Sequence, residues 1–488
     1  MKPRVLSRAV YLLPALLSLV NAAPARRDTS SGSNPGLRGS EALVGYSATE
    51  QVASGSKPDI KYTLLPGQKE DPKIGSYLDF ENVENPQPIR GTTGSDDPGP
   101  RNYYYDRINR DKLAPPGTDH GATINAQWPM GKLIDLMTLG IDNAGWARQE
   151  NTVVMPDATE MAGVDMRLEP AAYRELHWHV ASEWSLILNG SCRIQAINEN
   201  GETFIDDLQA GDVWFFPPGI PHSIQALDDG VEFLLVFDQG DFSEDNTFLA
   251  TEVFLHSPVS EMSSKSEMNS SSLSKQKEVL AKNLGVSVSA FDDIPDDELY
   301  IFKGTPAPKD IEEQNVTTSA GLVPRSESYS YHFSEQPAHE VAGGSVKIVD
   351  PLTFPAASNF SAAVVTVNPG GMREIHWHPT SDEWTFFIKG QGRATLFTAP
   401  NAATTFDYRA GDVGYFPKSN SHYIENTGDE ELMFLEVLQA PQFTDMALGQ
   451  WIASTPKQIV KDTLNLSDST LSQLKTEKQY VVAGTTGN

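Results

Sequence analysis

Two imidazoles separated by one residue, with a carboxylate four residues further on, are donors that a single metal ion can take together. The stretch Arg174-Glu175-Leu176-His177-Trp178-His179-Val180-Ala181-Ser182-Glu183 supplies them. On a strand, residues two apart project to the same face, so His177 and His179 point together and Glu183 can come round to the same point. Gly190 is then expected to permit a sharp turn that sends the chain back as a hairpin. The pattern is written twice: Arg373-Glu374-Ile375-His376-Trp377-His378 is followed by Glu383 and Gly390, with one extra residue between the second His and the Glu. Each copy also offers a later His as fourth ligand, His222 and His422. A lone histidine is commonly just a hydrogen-bonded core or surface residue, but six of the 10 histidines fall in these two constellations. The expectation is two His3Glu sites.

The elements that must position these residues read as strands. Short β-type runs separated by turn residues fill the region from about 125 to 240: Trp184–Leu188, Ser191–Ile197, Val213–Phe216 and Val231–Phe237. The pattern returns from about 330 to 440 in Val346–Val349, Ala362–Val367, Trp384–Ile388, Ala394–Phe397 and Leu432–Leu438. Such spacing predicts an all-β chain of two tandem small β-barrel or jelly-roll domains, each able to hold one site inside. Between them, residues 258–285 are Ser-rich and then helical from Ser274 to Asn283; at the end, Asp445–Ala453 and Thr463–Lys475 read as helices with caps at Asp468-Ser469-Thr470. These helical segments would cover a barrel edge or a neighbouring subunit, leaving room for a homo-oligomer.

The chain has 488 residues, 65 acidic against 37 basic, for a formal charge of -28. Nucleic acid and anionic membrane would be repelled, so neither is expected as a partner. The N-terminus carries Lys2, Arg4 and Arg8, an apolar run from Ala9 to Val20, and small residues at Ala22-Ala23, the pattern of a secretory signal too short to span a bilayer. A secreted, extracellular protein follows, with dibasic Arg26-Arg27 as a second processing point. Sequons at Asn189, Asn269, Asn315, Asn359 and Asn465 make a glycoprotein the expectation. The single Cys192 has no disulfide partner and should be a buried apolar residue. The resulting map is a signal at 1–23, a partly flexible arm at 24–120, barrels at 121–257 and 326–442, a linker with helical content at 258–325 and a helical C-terminal segment at 443–488.

The motif G-x5-H-x-H-x(3,4)-E-x6-G, followed by G-x5-P-x-G-x2-H-x3-N, resembles that of the cupin superfamily, and its duplication resembles a bicupin. Ala171 stands for the first Gly and Ala226 for the final Asn in copy one, while copy two keeps Gly370 and Asn426 but has Ser419 for a Gly. Within the superfamily, Arg-Glu-Leu/Ile-His-Trp-His in both copies, Phe204–Asp207, Pro221–Leu227, Phe233–Asp238 and Phe242–Phe248 are similar to secreted fungal and bacterial oxalate decarboxylases. That resemblance covers roughly residues 85 to 480. It implies an enzyme that uses manganese, two ions per chain, and dioxygen as co-catalyst to split oxalate into formate and carbon dioxide.

The donor chemistry agrees, since three imidazoles and a carboxylate without thiolate suit an octahedral divalent ion with two open positions. Arg174 would hold the substrate carboxylate through its planar fork, and Arg373 matches it in copy two. The resemblance places Glu244 on a mobile lid over the first metal, taking a proton from oxalate and returning one to carbon. It places Glu436 near the second metal, while Gln439–Asp445 offers no matching lid glutamate. Catalysis is therefore expected mainly in the first barrel. Two alternatives stand: an oxalate oxidase making peroxide and carbon dioxide, and a non-catalytic storage-type bicupin, against which two complete ligand sets argue.

Overall fold

The computed structural model describes residues 118–130, 137–257 and 277–484; the expected signal, nearly all of the arm at 24–120 and the sequon at Asn269 lie outside them. Strands dominate, arranged among the described residues as an 11-stranded sheet for the first barrel and seven- and six-stranded sheets for the second. Alternation explains which side chains enter the barrels. In the strand Glu183–Ile197, Ile187 joins the core inside the first barrel, while Trp184 and Leu186 face the other way into a second core. Glu183, in phase with Ile187, is thereby aimed inward.

That second core joins the barrels: Trp184, Leu186, Phe215 and Val236 pack with Phe360, Trp384, Phe386 and Val437. Buried apolar area of this kind is the main force holding two such bodies together. A polar clasp lies at its edge, where Asn359 Nδ2 donates to Asp238 Oδ2 at 2.8 Å and the Ser182 amide donates to Asp238 Oδ1 at 2.9 Å.

Gly190 does not make a hairpin turn. The strand Glu183–Ile197 runs through it, Glu183 to Gly190 pairing with Phe237 to Val231 and Cys192 to Ala196 with Ala226 to His222, with register shifts between Ile187 and Asn189 and between Gly190 and Cys192. Gly390 likewise lies where the chain leaves Glu383–Lys389 in one sheet for Gln391–Thr398 in the other. The glycine is needed at this corner, because φ is +75° and a Cβ on Gly190 would fall 2.0 Å from the Gly230 carbonyl oxygen. Cys192, just beyond, is buried and free.

Sheet membership crosses the expected domain boundaries. Gln127–Pro129 pairs with Asp412–Phe416 of the second barrel, whereas Ile301–Lys303 and Ser330–Tyr331 pair with Ala172–Trp178 and Val213–Phe216 of the first. The C-terminal segment is three short helices, Leu448–Ser454, Lys457–Leu464 and Asp468–Leu471, rather than two longer ones. Pro456 starts the middle helix, left-handed Asn465 ends it, and Ser467, one residue before the expected cap, accepts from the Thr470 amide at 3.1 Å. Of the helix expected over 274–283, residues 274–276 lie outside the described residues; the described part forms Glu278–Leu284 and closes at left-handed Gly285.

Candidate metal centres

The inner strand Ala172–Trp178 carries the first site. Strict alternation would put Arg174 and His177 on opposite faces, three residues apart. A register shift in the pairing, Arg174 with Ile224 but His177 with His222, inserts a bulge at Glu175–Leu176 and turns both side chains inward. Leu176 is consequently exposed while Arg174 and His177 are buried. The second barrel repeats the bulge between Arg373 and His376.

The ligand atoms of His177, His179, Glu183 and His222 lie within 4.8 Å of one another, and so do those of His376, His378, Glu383 and His422. Glu183 Oε2 is 2.9 Å from His179 Nε2 and 3.6 Å from His222 Nε2. Glu383 Oε2 is 2.8, 2.9 and 3.8 Å from Nε2 of His378, His422 and His376. All six Nδ1 atoms lie against backbone carbonyls: those of Glu175, Ala181 and Ile220 at 2.7–2.8 Å in the first site, and those of Glu374, Thr444 and Asn420 at 2.8–3.2 Å in the second. A carbonyl can only accept, so each Nδ1 carries a proton, which leaves Nε2 as the atom that would face a bound ion.

These atoms fit a divalent cation. His222 Nε2 and His376 Nε2 are buried without a hydrogen-bond partner. Burial, with the adjacent Arg174 charge, pushes the His177 imidazole well below its usual range, and burial lowers His222. Burial alone would raise Glu183, but His222 and His179 outweigh it and hold its carboxylate well below the usual range. Neutral imidazoles beside an ionised carboxylate are the state in which a metal is bound.

Over the first site sits the segment that follows Phe237. Glu244 is buried, with Oε2 accepting from Arg174 Nη2 at 2.9 Å and from the Tyr300 hydroxyl at 3.1 Å. Its amide donates to Gln149 Oε1 at 2.9 Å, Gln149 Nε2 donates to Ser243 Oγ at 3.2 Å, and Asn151 Nδ2 donates to the Phe242 carbonyl at 2.8 Å. Phe242 stacks on Phe237 with centroids 3.5 Å apart and stands edge-on to His179 at 5.8 Å. The ring of Tyr300 lies under the Arg174 guanidinium at 4.1 Å. Burial and the Glu244 carboxylate push its phenol well above the usual range, keeping the hydroxyl a donor.

In the second site, Arg373 Nε donates to Glu436 Oε1 at 3.0 Å and Nη2 donates to Asp445 Oδ2 at 2.5 Å. Glu436 thus lies against the arginine beside the second ligand cluster, and Asp445 supplies a lid carboxylate where no glutamate matches Glu244. Tyr300, Gln149 and the two motif glutamates were also missed. Glu175 Oε2 accepts from the Leu299 and Tyr300 amides at 2.9 and 2.8 Å, and Glu374 Oε1 accepts from the Tyr480 amide at 2.9 Å. Their signal was present in the repeated Arg-Glu pair.

Comparison with known proteins follows the same lines. The cupin family pattern matches residues 142–264 and 331–472. Oxalate decarboxylase OxdC of Bacillus subtilis is 41% identical over 397 residues, covering 81% of this chain and 97% of that protein. A probable oxalate decarboxylase of Arthroderma benhamiae is 38% identical over 372 residues, covering 75% and 85%. The structure of the Bacillus subtilis enzyme at pH 4.6 superposes with a TM-score of 0.71 over 82% of this chain and 98% of that one. Mn(II) centres are described for that bacterial enzyme.

Proposed function

The chain belongs to the cupin family, in its oxalate decarboxylase branch, and on that premise we propose that the first barrel is the main reaction chamber, where Arg174 holds the substrate and Glu244 carries its proton. The reaction converts the oxalate monoanion into formate and carbon dioxide: the carbon–carbon bond breaks, a carbon–hydrogen bond forms, and there is no net oxidation. We assign manganese to both His3Glu sets, two ions per chain, on the strength of the thiolate-free donors and of the Mn(II) centres in the bacterial relative. When bound, the metal supplies a Lewis-acidic, redox-active centre that activates a carboxylate. Dioxygen as co-catalyst rests on the family likeness.

The side chains account for the proton. Arg174 Nη1 is buried without a partner, and its Nη2 holds only the lid carboxylate, so the fork can exchange Glu244 for a substrate carboxylate. Glu244, kept in place by Tyr300, then takes the oxalate proton and returns it to carbon once carbon dioxide has left. Phe242, packed on Phe237 at the lid, helps exclude water from that interval. The observation that carries this reading is one buried carboxylate shared between the substrate-binding arginine and a closing segment. An acid so placed favours formate over the peroxide that an oxidase would make.

We extend the proposal to export and glycosylation, supported by the signal pattern at 1–23 and by the sequons. The deciding assay incubates manganese-loaded protein with oxalate, with and without dioxygen, and measures formate and peroxide together. Formate with little peroxide, lost under nitrogen, is expected. Peroxide without formate would make the protein an oxidase, and neither product would remove the catalytic reading.

A further inference from the structure

The two barrels hold their lids differently. In the first, residues 238–247 separate Phe237 from the strand pair Phe248–Leu249; in the second, only 439–445 separate Leu438 from Met446–Ala447. The ends correspond, because Phe237 and Leu438 pair with Glu183 and Glu383, and Leu249 and Ala447 pair with His177 and His376. The shorter segment is also tied down. Its Thr444 carbonyl receives His378 Nδ1 at 2.8 Å, whereas His179 Nδ1 turns to Ala181 in the first barrel. Asp445 bonds Arg373 and is ion-paired with Lys478, whose Nζ also donates to the Asp445 carbonyl at 2.9 Å.

Lys478 has a counterpart. Each barrel is closed by a left-handed tyrosine, Tyr300 at φ 48° and Tyr480 at φ 54°. The amide of each goes to the glutamate of the Arg-Glu pair, and the next residue pairs with the arginine: Ile301 with Arg174, Val481 with Arg373. Two residues before each tyrosine stand Glu298 and Lys478, at the same place with opposite charge. Glu298 is exposed; burial and the neighbouring acids Glu252, Glu175 and lid residue Asp245 raise its carboxyl. The second lid is therefore held by an opposite charge, where the first barrel has an acid at the matching position.

We propose that the residue two before each closing tyrosine decides which pocket admits oxalate: Lys478 locks the short second lid over Arg373, and Glu298 leaves the first lid free to open. Opening the second pocket must separate Asp445 from both cations, leaving buried charge uncompensated. Burial and the Arg373 charge lower the Lys478 ammonium to about 8, so the lock is charged in acid and at neutrality. The proposal borrows from the functional reading only the identity of the anion.

Hydrogen–deuterium exchange on the manganese-loaded full chain tests it without turnover. Segment 238–247 should exchange at least roughly tenfold faster than 439–445, and Lys478→Met should bring 439–445 up by a similar factor while leaving 238–247 alone. Oxalate titrated under nitrogen should go from one site per chain in the parent to two in that variant. The exposed reciprocal change, Glu298→Lys, carries little folding risk. It should slow exchange in 238–247 and lower kcat/KM for oxalate at unchanged metal content. Equal lid exchange in the parent overturns the proposal. So does an unchanged 439–445 in Lys478→Met or, if that variant fails to fold, an unchanged 238–247 in Glu298→Lys. Differing lids in a protein that makes no formate would instead sink the substrate reading and leave the lock standing.

Discussion

Glu244 receives two donors on one oxygen, the Arg174 guanidinium and the Tyr300 hydroxyl, and only one of them must leave when substrate arrives. Glu244→Gln keeps the shape and loses the proposed proton carrier. Formate production should fall by about 10²- to 10⁴-fold, the usual worth of a positioned acid or base, with manganese content unchanged and a larger share of peroxide. Glu436→Ala, which touches the second barrel, should cost formate far less; parental formate from Glu244→Gln would end the assignment. The metal donors were legible because HxH and its glutamate lie within one short stretch, and strand alternation says which way they point. Tyr300 was not, since it reaches Glu244 only through the pairing of Ile301 with Arg174, across the linker. Asp445 was hidden differently: the motif implies a glutamate, and a shorter lid brings an aspartate to the arginine instead.

Between residue and barrel, the bulge decides the site. Without the extra residue at Glu175–Leu176, Arg174 would face away from the histidines, and no periodicity argument reveals such an insertion before the partner strand is known. The departures from the cupin motif are easier to interpret. Ala171 stands in for glycine at φ 62° and Ser419 at φ 63°, while Gly219 and Gly370, the glycines of the opposite copies, are also left-handed at 77° and 72°. The backbone thus kept its conformation and placed a Cβ where it is disfavoured. Ala171→Gly and Ser419→Gly should each stabilise the protein slightly, by about 1 kcal/mol or less once the extra freedom of the unfolded chain is counted. Thermal midpoints of the two single variants check this, and a drop in either would mean that a side-chain contact outweighs the backbone strain.

At the scale of the whole molecule, duplication was visible from sequence, but the way the barrels join was not, because their contact is made by outward residues of strands whose inward residues carry the motif. One sequon falls in that contact. Asn359 Nδ2 is committed to Asp238 across the clasp, whereas Asn465 is exposed at a helix end. In protein from a glycosylating host, mass analysis of the peptides should find Asn465 modified and Asn359 bare; a glycan on Asn359 would mean the clasp does not form.

The same interface sets how stability should depend on pH. Glu150 is fully buried, its Oε2 accepting from Trp384 Nε1 of the other barrel at 2.8 Å while its Oε1 has no partner. Burial, only partly offset by that hydrogen bond, raises its carboxyl to about 8. Nearby on the same strands, burial also raises Asp165 to about 7. The sign follows from proton counts. Below the ordinary carboxylate range both folded and unfolded chains hold the Glu150 proton, and it contributes nothing to the pH dependence. Between that range and about 8 the unfolded chain has released the proton and the folded one has not, so rising pH favours unfolding. Glu150→Gln keeps an oxygen for Trp384 and removes the titration. Its stability relative to the parent should therefore climb as pH rises from about 4.5 to about 8, by at least about 1 kcal/mol, and stay level outside that window. Denaturant midpoints of both proteins across that range decide it: a constant difference would mean that Glu150 ionises in the folded interface, and a narrowing one that its charge is stabilised there.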